Sequence, residues 1–208
     1  MNGESKWRFK CVQLVLVAWV FLLVACTQNN SPNEAQVSRE SPKIKVTTTV
    51  NMVSDLVRQI GAEHVEVVEI MGPGVDPHLY KASANDVVKL QEADAIFYVG
   101  LLLEGKMEEV LGKLKDGGKP VYAVTENIDA NRLLKPDEFE GHFDPHIWFE
   151  VLLWKETIDV VVSSLGKLDP ANKFDYEANG KTAKARMDEL QQWAEAKVIE
   201  IPRQKRIL

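Results

Sequence analysis

Four histidines stand in this chain of 208 residues: His64, His78, His142 and His146. Two of them close the same triplet, Asp76-Pro77-His78 and Asp144-Pro145-His146. Proline fixes its own φ and restricts the residue before it, so each of these histidines leaves a stiff stretch of backbone. A side chain held stiffly loses little freedom when it captures a ligand. Neutral imidazoles are ligands for transition metals. Asp76 and Asp144 have two readings each. Either could accept an imidazole N–H and fix its tautomer, or could cap the turn that follows. A lone histidine is ordinarily a surface or core residue with no ligand. The duplicated triplet lifts His78 and His146 above that expectation. His64, at the start of a strand, reads as solvated, and His142, in Glu140-Gly141-His142-Phe143, is a weaker metal candidate.

The elements that must position the two triplets alternate. Residues 44–49 are β-branched and read as a strand. Val53, Leu56, Val57 and Ile60 fall at helical spacing, with Gly61 expected as the residue that stops the helix. Residues 65–70, 95–99 and 121–124 read as three more strands. Ser83 and Asp86 form a capping-box pattern before a helix, and 105–115 read as another helix ended by Gly117-Gly118. Strands alternating with helices predict an α/β lobe with a mainly parallel four-stranded sheet. Ligands of such sheets bind at the carboxyl ends of the strands, where the loop after Ile70 lies. Residues 125–143 read mostly as loop and 149–167 as an apolar helix. After Asp169-Pro170 a long, charge-laced helix is expected over 171–200, ended by Pro202, and 205–208 read as the start of a strand.

The first residues read as an export signal. Lys6, Arg8 and Lys10 precede an apolar run over 11–25 that is broken only by Gln13 and is short for a membrane span. The run ends in Leu23-Val24-Ala25-Cys26, which resembles a bacterial lipobox, so Cys26 is expected to become the lipidated N-terminus. The alternative is an uncleaved anchor helix. Cys11 would leave with the signal, and no thiol would remain for a disulfide or a cysteine metal site. Residues 26–42 are polar and read as a flexible tether. The net charge of -6, with no basic cluster in the mature part, argues against nucleic acid as a partner.

Gly74-Val75-Asp76-Pro77-His78-Leu79-Tyr80, Ala95-Ile96-Phe97-Tyr98-Val99-Gly100, Leu103-Glu104-Gly105-Lys106-Met107 and Phe143-Asp144-Pro145-His146-Ile147-Trp148-Phe149 occur in this order. Together they resemble the zinc-, manganese- or iron-binding solute receptors of ABC importers, the TroA-like or adhesin-lipoprotein family. The resemblance implies a receptor rather than an enzyme, monomeric, tethered outside the bacterial membrane and working with an importer permease. It implies a metal held between two lobes, with His78 and His146 as the first two ligands. A third, His or Glu, and a fourth, Asp, would follow beyond this chain. The chain is then expected to hold a first lobe (43–168), a linking helix (169–201) and the start of a truncated second lobe (202–208). The absence of a His-rich acidic loop points toward manganese, or manganese and zinc. Three other readings stand beside this one: a metal-dependent hydrolase, a surface adhesion lipoprotein and a remnant without a working site. No H-E-x-x-H or G-x-S-x-G motif supports the first of them.

Overall fold

A computed structural model describes residues 42–206; the leader, Cys26 and nearly all of the tether lie outside them. Four strands, β1 (Ile44–Val50), β2 (Val65–Met71), β3 (Ala95–Tyr98) and β4 (Val121–Ala123), form one sheet in the order β2-β1-β3-β4. All three pairings are parallel, with Thr47 opposite Val68 on one side and Ile96 on the other. The sheet is the one expected from the alternation of elements. The chain leaves β1 toward β2 on one side and continues with β3 on the other. The carboxyl ends of β1 and β3 therefore flank the crevice where open α/β sheets bind ligands.

Helix α1 (Asn51–Gly61) buries Val53, Leu56, Val57 and Ile60. Gly61 does not stop it by taking a left-handed conformation. It is the last helical residue, and Ala62 carries the positive φ of 45°. Gly61 is small because Val65 leaves no room: a Cβ there would sit 2.4 Å from the valine side chain. Helix α2 (Ala84–Glu92) begins with the capping box expected at Ser83 and Asp86. Helix α3 (Met107–Asp116) starts two residues later than the sequence pattern indicates and ends at Gly117, with Gly118 at φ 87°. Burying β1 on both faces brings Thr48 and Thr49 inside. Their hydroxyls are matched, Thr48 with the Ser54 hydroxyl at 2.7 Å and Thr49 with the Glu104 carboxylate at 2.8 Å.

Helix α4 (Val151–Leu168) and the 28-residue α5 (Lys173–Glu200) cover the lobe. At ~1.5 Å per residue α5 is about 42 Å long. Only its first half is seated, through Tyr176, Gly180 and Ala183. Further along, Trp193 and Ile199 are 60% and 71% exposed, so the helix carries apolar surface that charge-lacing in the sequence conceals. Lys184 and Lys155 hold α5 to α4 through Asp159 and Asp188. The strand expected from Lys205 is not formed among the described residues. Arg203–Lys205 is a single 3-10 turn, where a strand would need a neighbour for its backbone groups. No helix among the described residues is long and apolar enough to cross a membrane.

Gly180 is the packing point of α5. A Cβ there would lie 2.4 Å from Val162 Cγ2 on α4. In an open helix Gly→Ala stabilises by ~1 kcal/mol. Here overpacking, typically about 1–3 kcal/mol, works against that gain. Gly180→Ala is expected to lower stability by roughly 1 kcal/mol in urea denaturation. A rise of that size instead would mean that α5 is not seated on Val162.

Candidate metal centre

The first triplet lies in the loop between β2 and α2. Val75 N–H donates to Gly72 O, closing a turn in which Gly74 takes φ 85°. Asp76 Oδ1 then accepts the His78 backbone N–H at 2.9 Å. Two residues on, the Tyr80 hydroxyl donates to Asp86 Oδ2 at 2.7 Å, and Ser83 donates to the same oxygen from its N–H and its hydroxyl. Burial acts to raise the Asp86 carboxyl, but the Tyr80 and Ser83 donors and Lys89 hold it below its ordinary value. The capping carboxylate of α2 thus also ties down the far end of the His78 loop.

The second triplet precedes a 3-10 turn, Ile147–Phe149, whose Ile147 is buried and leads directly into α4. Asp144 Oδ1 accepts both the His146 backbone N–H at 2.9 Å and, at 2.7 Å, the imidazole Nδ1. The two readings left open for the aspartates therefore separate. Asp76 caps its turn, while Asp144 caps the turn and also holds the ring. The ring is further confined by Trp148, at 5.2 Å between centroids in an edge-on arrangement, and by Phe139 at 6.2 Å.

The two loops bring His78 Nε2 and His146 Nε2 to 3.3 Å. With its Nδ1 proton donated to Asp144, His146 keeps a free lone pair on Nε2, and the His78 Nε2–H is the donor between them. A cation that takes both lone pairs must move that proton. Metal–imidazole bonds of ~2.0–2.1 Å at a tetrahedral angle put the two nitrogens about 3.3 Å apart. The spacing of the pair is therefore that of two ligands on one ion. A cleft of about 300 Å³ opens beside His146, walled by Leu133, Leu134 and Leu153 and edged by Arg132 and Glu150.

Beneath the His78 loop lies a turn that the sequence reading did not single out for chemistry. Gly100, Leu101, Leu102 and Gly105 all have positive φ. For the two leucines this costs ~1 kcal/mol or more each. The turn is held by Glu104, fully buried, which accepts from Thr49 Oγ1 at 2.8 Å, Val99 N–H at 2.7 Å and Gly100 N–H at 3.1 Å. Burial pushes its carboxyl up to about 7, against the pull of these donors. Gly105 lies so close under the loop above that a Cβ on it would be 2.4 Å from the His78 carbonyl oxygen. The signal in the sequence is an acidic residue followed by glycine a few residues beyond an apolar strand.

His142 is exposed, and its backbone N–H donates to Phe139 O. Among the described residues no set of three His, Cys, Asp or Glu side chains is gathered to hold a metal. His64 departs from the solvated reading. Its side chain is only 18% exposed, bonds Asp175 at 3.0 Å and meets the edge of Tyr176. The partner comes from the start of α5, 111 residues away, beyond the reach of any local pattern.

The fold is shared with known proteins. Residues 46–208 match the family described as zinc-uptake complex component A, periplasmic. The manganese-binding lipoprotein MntA of Bacillus subtilis is 38% identical over 188 residues, which are 90% of this chain and 59% of MntA. The iron ABC transporter substrate-binding lipoprotein MtsA of Streptococcus pyogenes is 32% identical over 96% of this chain and 64% of its own length. The solved structure of the periplasmic zinc-binding protein TroA from Treponema pallidum superposes with a TM-score of 0.73 at 40% identity, over 77% of this chain and 57% of TroA. The chain thus spans less than two thirds of these relatives. With four of every five of its residues inside the matched region, it belongs to the zinc-uptake complex component A family of metal-binding receptors.

Proposed function

We propose that this chain is the metal-capturing lobe of an extracytoplasmic receptor that delivers a divalent transition metal, manganese, zinc or iron, to the permease of an ABC importer. The observation that carries the proposal is the facing pair of Nε2 atoms at 3.3 Å, one of them aimed by Asp144. The relatives named above bind manganese, iron and zinc in turn, so the family chemistry agrees with the donor set without selecting among the metals. His78 and His146 supply the two nitrogen ligands, and Asp144 keeps the second in the tautomer that binds. Metal retained by the purified full chain after gel filtration, measured by plasma mass spectrometry for manganese, zinc and iron, tests the proposal. Retention equal to that of an unrelated acidic protein would sink it.

Anchoring belongs to the same proposal. Cys26 is the lipidated residue, 16 positions before the first described residue, and a diacyl modification makes membrane retention durable where a single chain would not. Radiolabelled palmitate is expected to enter the parent chain and not Cys26→Ser. Equal labelling of both would remove the anchor from the picture.

A further inference from the structure

The carboxylate of Glu104 is buried at the mouth of the crevice, and the capture of metal by two histidines gives it no direct part. Its three donors come from the carboxyl ends of the two strands that flank the crevice: Thr49 from β1, Val99 and Gly100 from the end of β3. It therefore clasps the strand ends together from within. It also fixes the path of the left-handed turn 100–105, because both of its oxygens reach back to the start of that turn. The next residue, Gly105, is the one whose backbone seats the His78 carbonyl. A second carboxylate, Glu108, closes the turn from outside by accepting the Leu102 N–H at 2.8 Å.

We infer that Glu104 is a positioning residue for metal capture: by locking the 100–105 turn onto the ends of β1 and β3, it sets the height at which Gly105 carries the His78 backbone, and so the approach of His78 Nε2 to His146 Nε2. His146 is aimed by its own aspartate. His78 has no such partner on its ring among the described hydrogen bonds; Asp76 accepts only the backbone N–H. The placement of His78 must then come from the backbone beneath it. The strain of Leu101 and Leu102 fits the same role, since a left-handed pair persists only where the surroundings over-determine it.

The inference rests on the reading of His78 and His146 as ligands, and the test separates the two. The full chain, purified in detergent and stripped of metal, is titrated with Co(II) near neutral pH. Kd and the visible d–d absorption are recorded for the parent, Glu104→Gln, Thr49→Val, Gly105→Ala, His64→Ala, His78→Ala and His146→Ala. Glu104→Gln keeps an acceptor for Thr49 and Val99 but turns an amide N–H₂ against the Gly100 N–H. It is expected to weaken Co(II) binding about tenfold, the scale seen when groups that orient ligands are changed, and to alter the d–d bands. Gly105→Ala, which drives a methyl into the His78 carbonyl, should do more, and Thr49→Val less. His64→Ala, far from the crevice, should lower the melting temperature while leaving Kd and bands as in the parent. Loss of stability alone does not change the spectrum of the folded, loaded fraction. Parent-like Kd and bands in Glu104→Gln and Gly105→Ala, with binding lost in the two ligand variants, would overturn the positioning role only. Parent-like binding in His78→Ala and His146→Ala would overturn the ligand reading and this inference with it. Should Glu104→Gln not fold, Thr49→Val decides: a parent-like Kd and spectrum there counts against the role.

Discussion

His146→Ala is expected to weaken metal binding by the full chain by roughly 100-fold or more, measured by competition with a chromophoric chelator. The substitution removes the better-organised of the two imidazoles. His146 is held at Nδ1 by Asp144, boxed by Trp148 and Phe139, and rooted through Ile147 into α4. What remains is His78 alone, and a single imidazole holds a transition metal weakly. His78→Ala should be comparably severe, because the 3.3 Å spacing works only as a pair. Asp144→Asn should be milder, about 10-fold, since the amide can still accept from the ring but carries no charge to strengthen the nitrogen opposite. His64, tied to Asp175 on another face of the lobe, serves as the control. If His64→Ala did the damage and His146→Ala did none, the site assignment would be wrong.

The parts of this architecture that could be read from the sequence are those with local causes. Alternating β-branched and amphipathic stretches predict the four parallel strands and their helices because each face must be buried nearby. The Ser83–Asp86 box is written in two residues, and so is the Gly117-Gly118 stop. The repeated Asp-Pro-His triplet stands out because proline makes the spacing mean something. What escaped depends on distant neighbours. Gly61 resembles a helix stop, yet its smallness answers to Val65. His64 looked solvated because Asp175 and Tyr176 arrive from α5. Glu104 was visible only as one letter of a family motif, and its burial follows from where β1 and β3 end relative to each other. The difference between Asp76 and Asp144 could not be foreseen either, because the same triplet meets a loop in one case and a helix entry in the other.

Glu104 also makes a prediction about stability. Its folded carboxyl titrates at about 7, against 4.5 when unshielded, because burial penalises the charged form. Below the lower value both states are protonated and the group contributes nothing to pH dependence. Between the two, the unfolded chain has released its proton and the folded chain still holds it, so stability falls as pH rises. Above the upper value the loss is complete, about 3 kcal/mol at ~1.36 kcal/mol per unit. Asp86 and Asp169 act elsewhere and with the opposite sign. Burial opposes the charge of each, but their hydrogen bonds, and for Asp86 Lys89 and for Asp169 His64, hold them below the ordinary carboxylate range. What they contribute is present above the unfolded value and lost only as acid is added. Urea denaturation of the metal-free full chain from pH 5 to pH 8 isolates the Glu104 contribution as the difference between the parent and Glu104→Gln. The amide cannot ionise, so any constant cost of its mismatch with the Gly100 N–H drops out of the slope. The parent is expected to lose roughly 2 to 3 kcal/mol relative to the variant across that range, since part of the full loss already lies below pH 5. Parallel curves would mean that the three donors already hold Glu104 ionised at pH 5, and that the clasp on the strand ends is made by a charged carboxylate throughout.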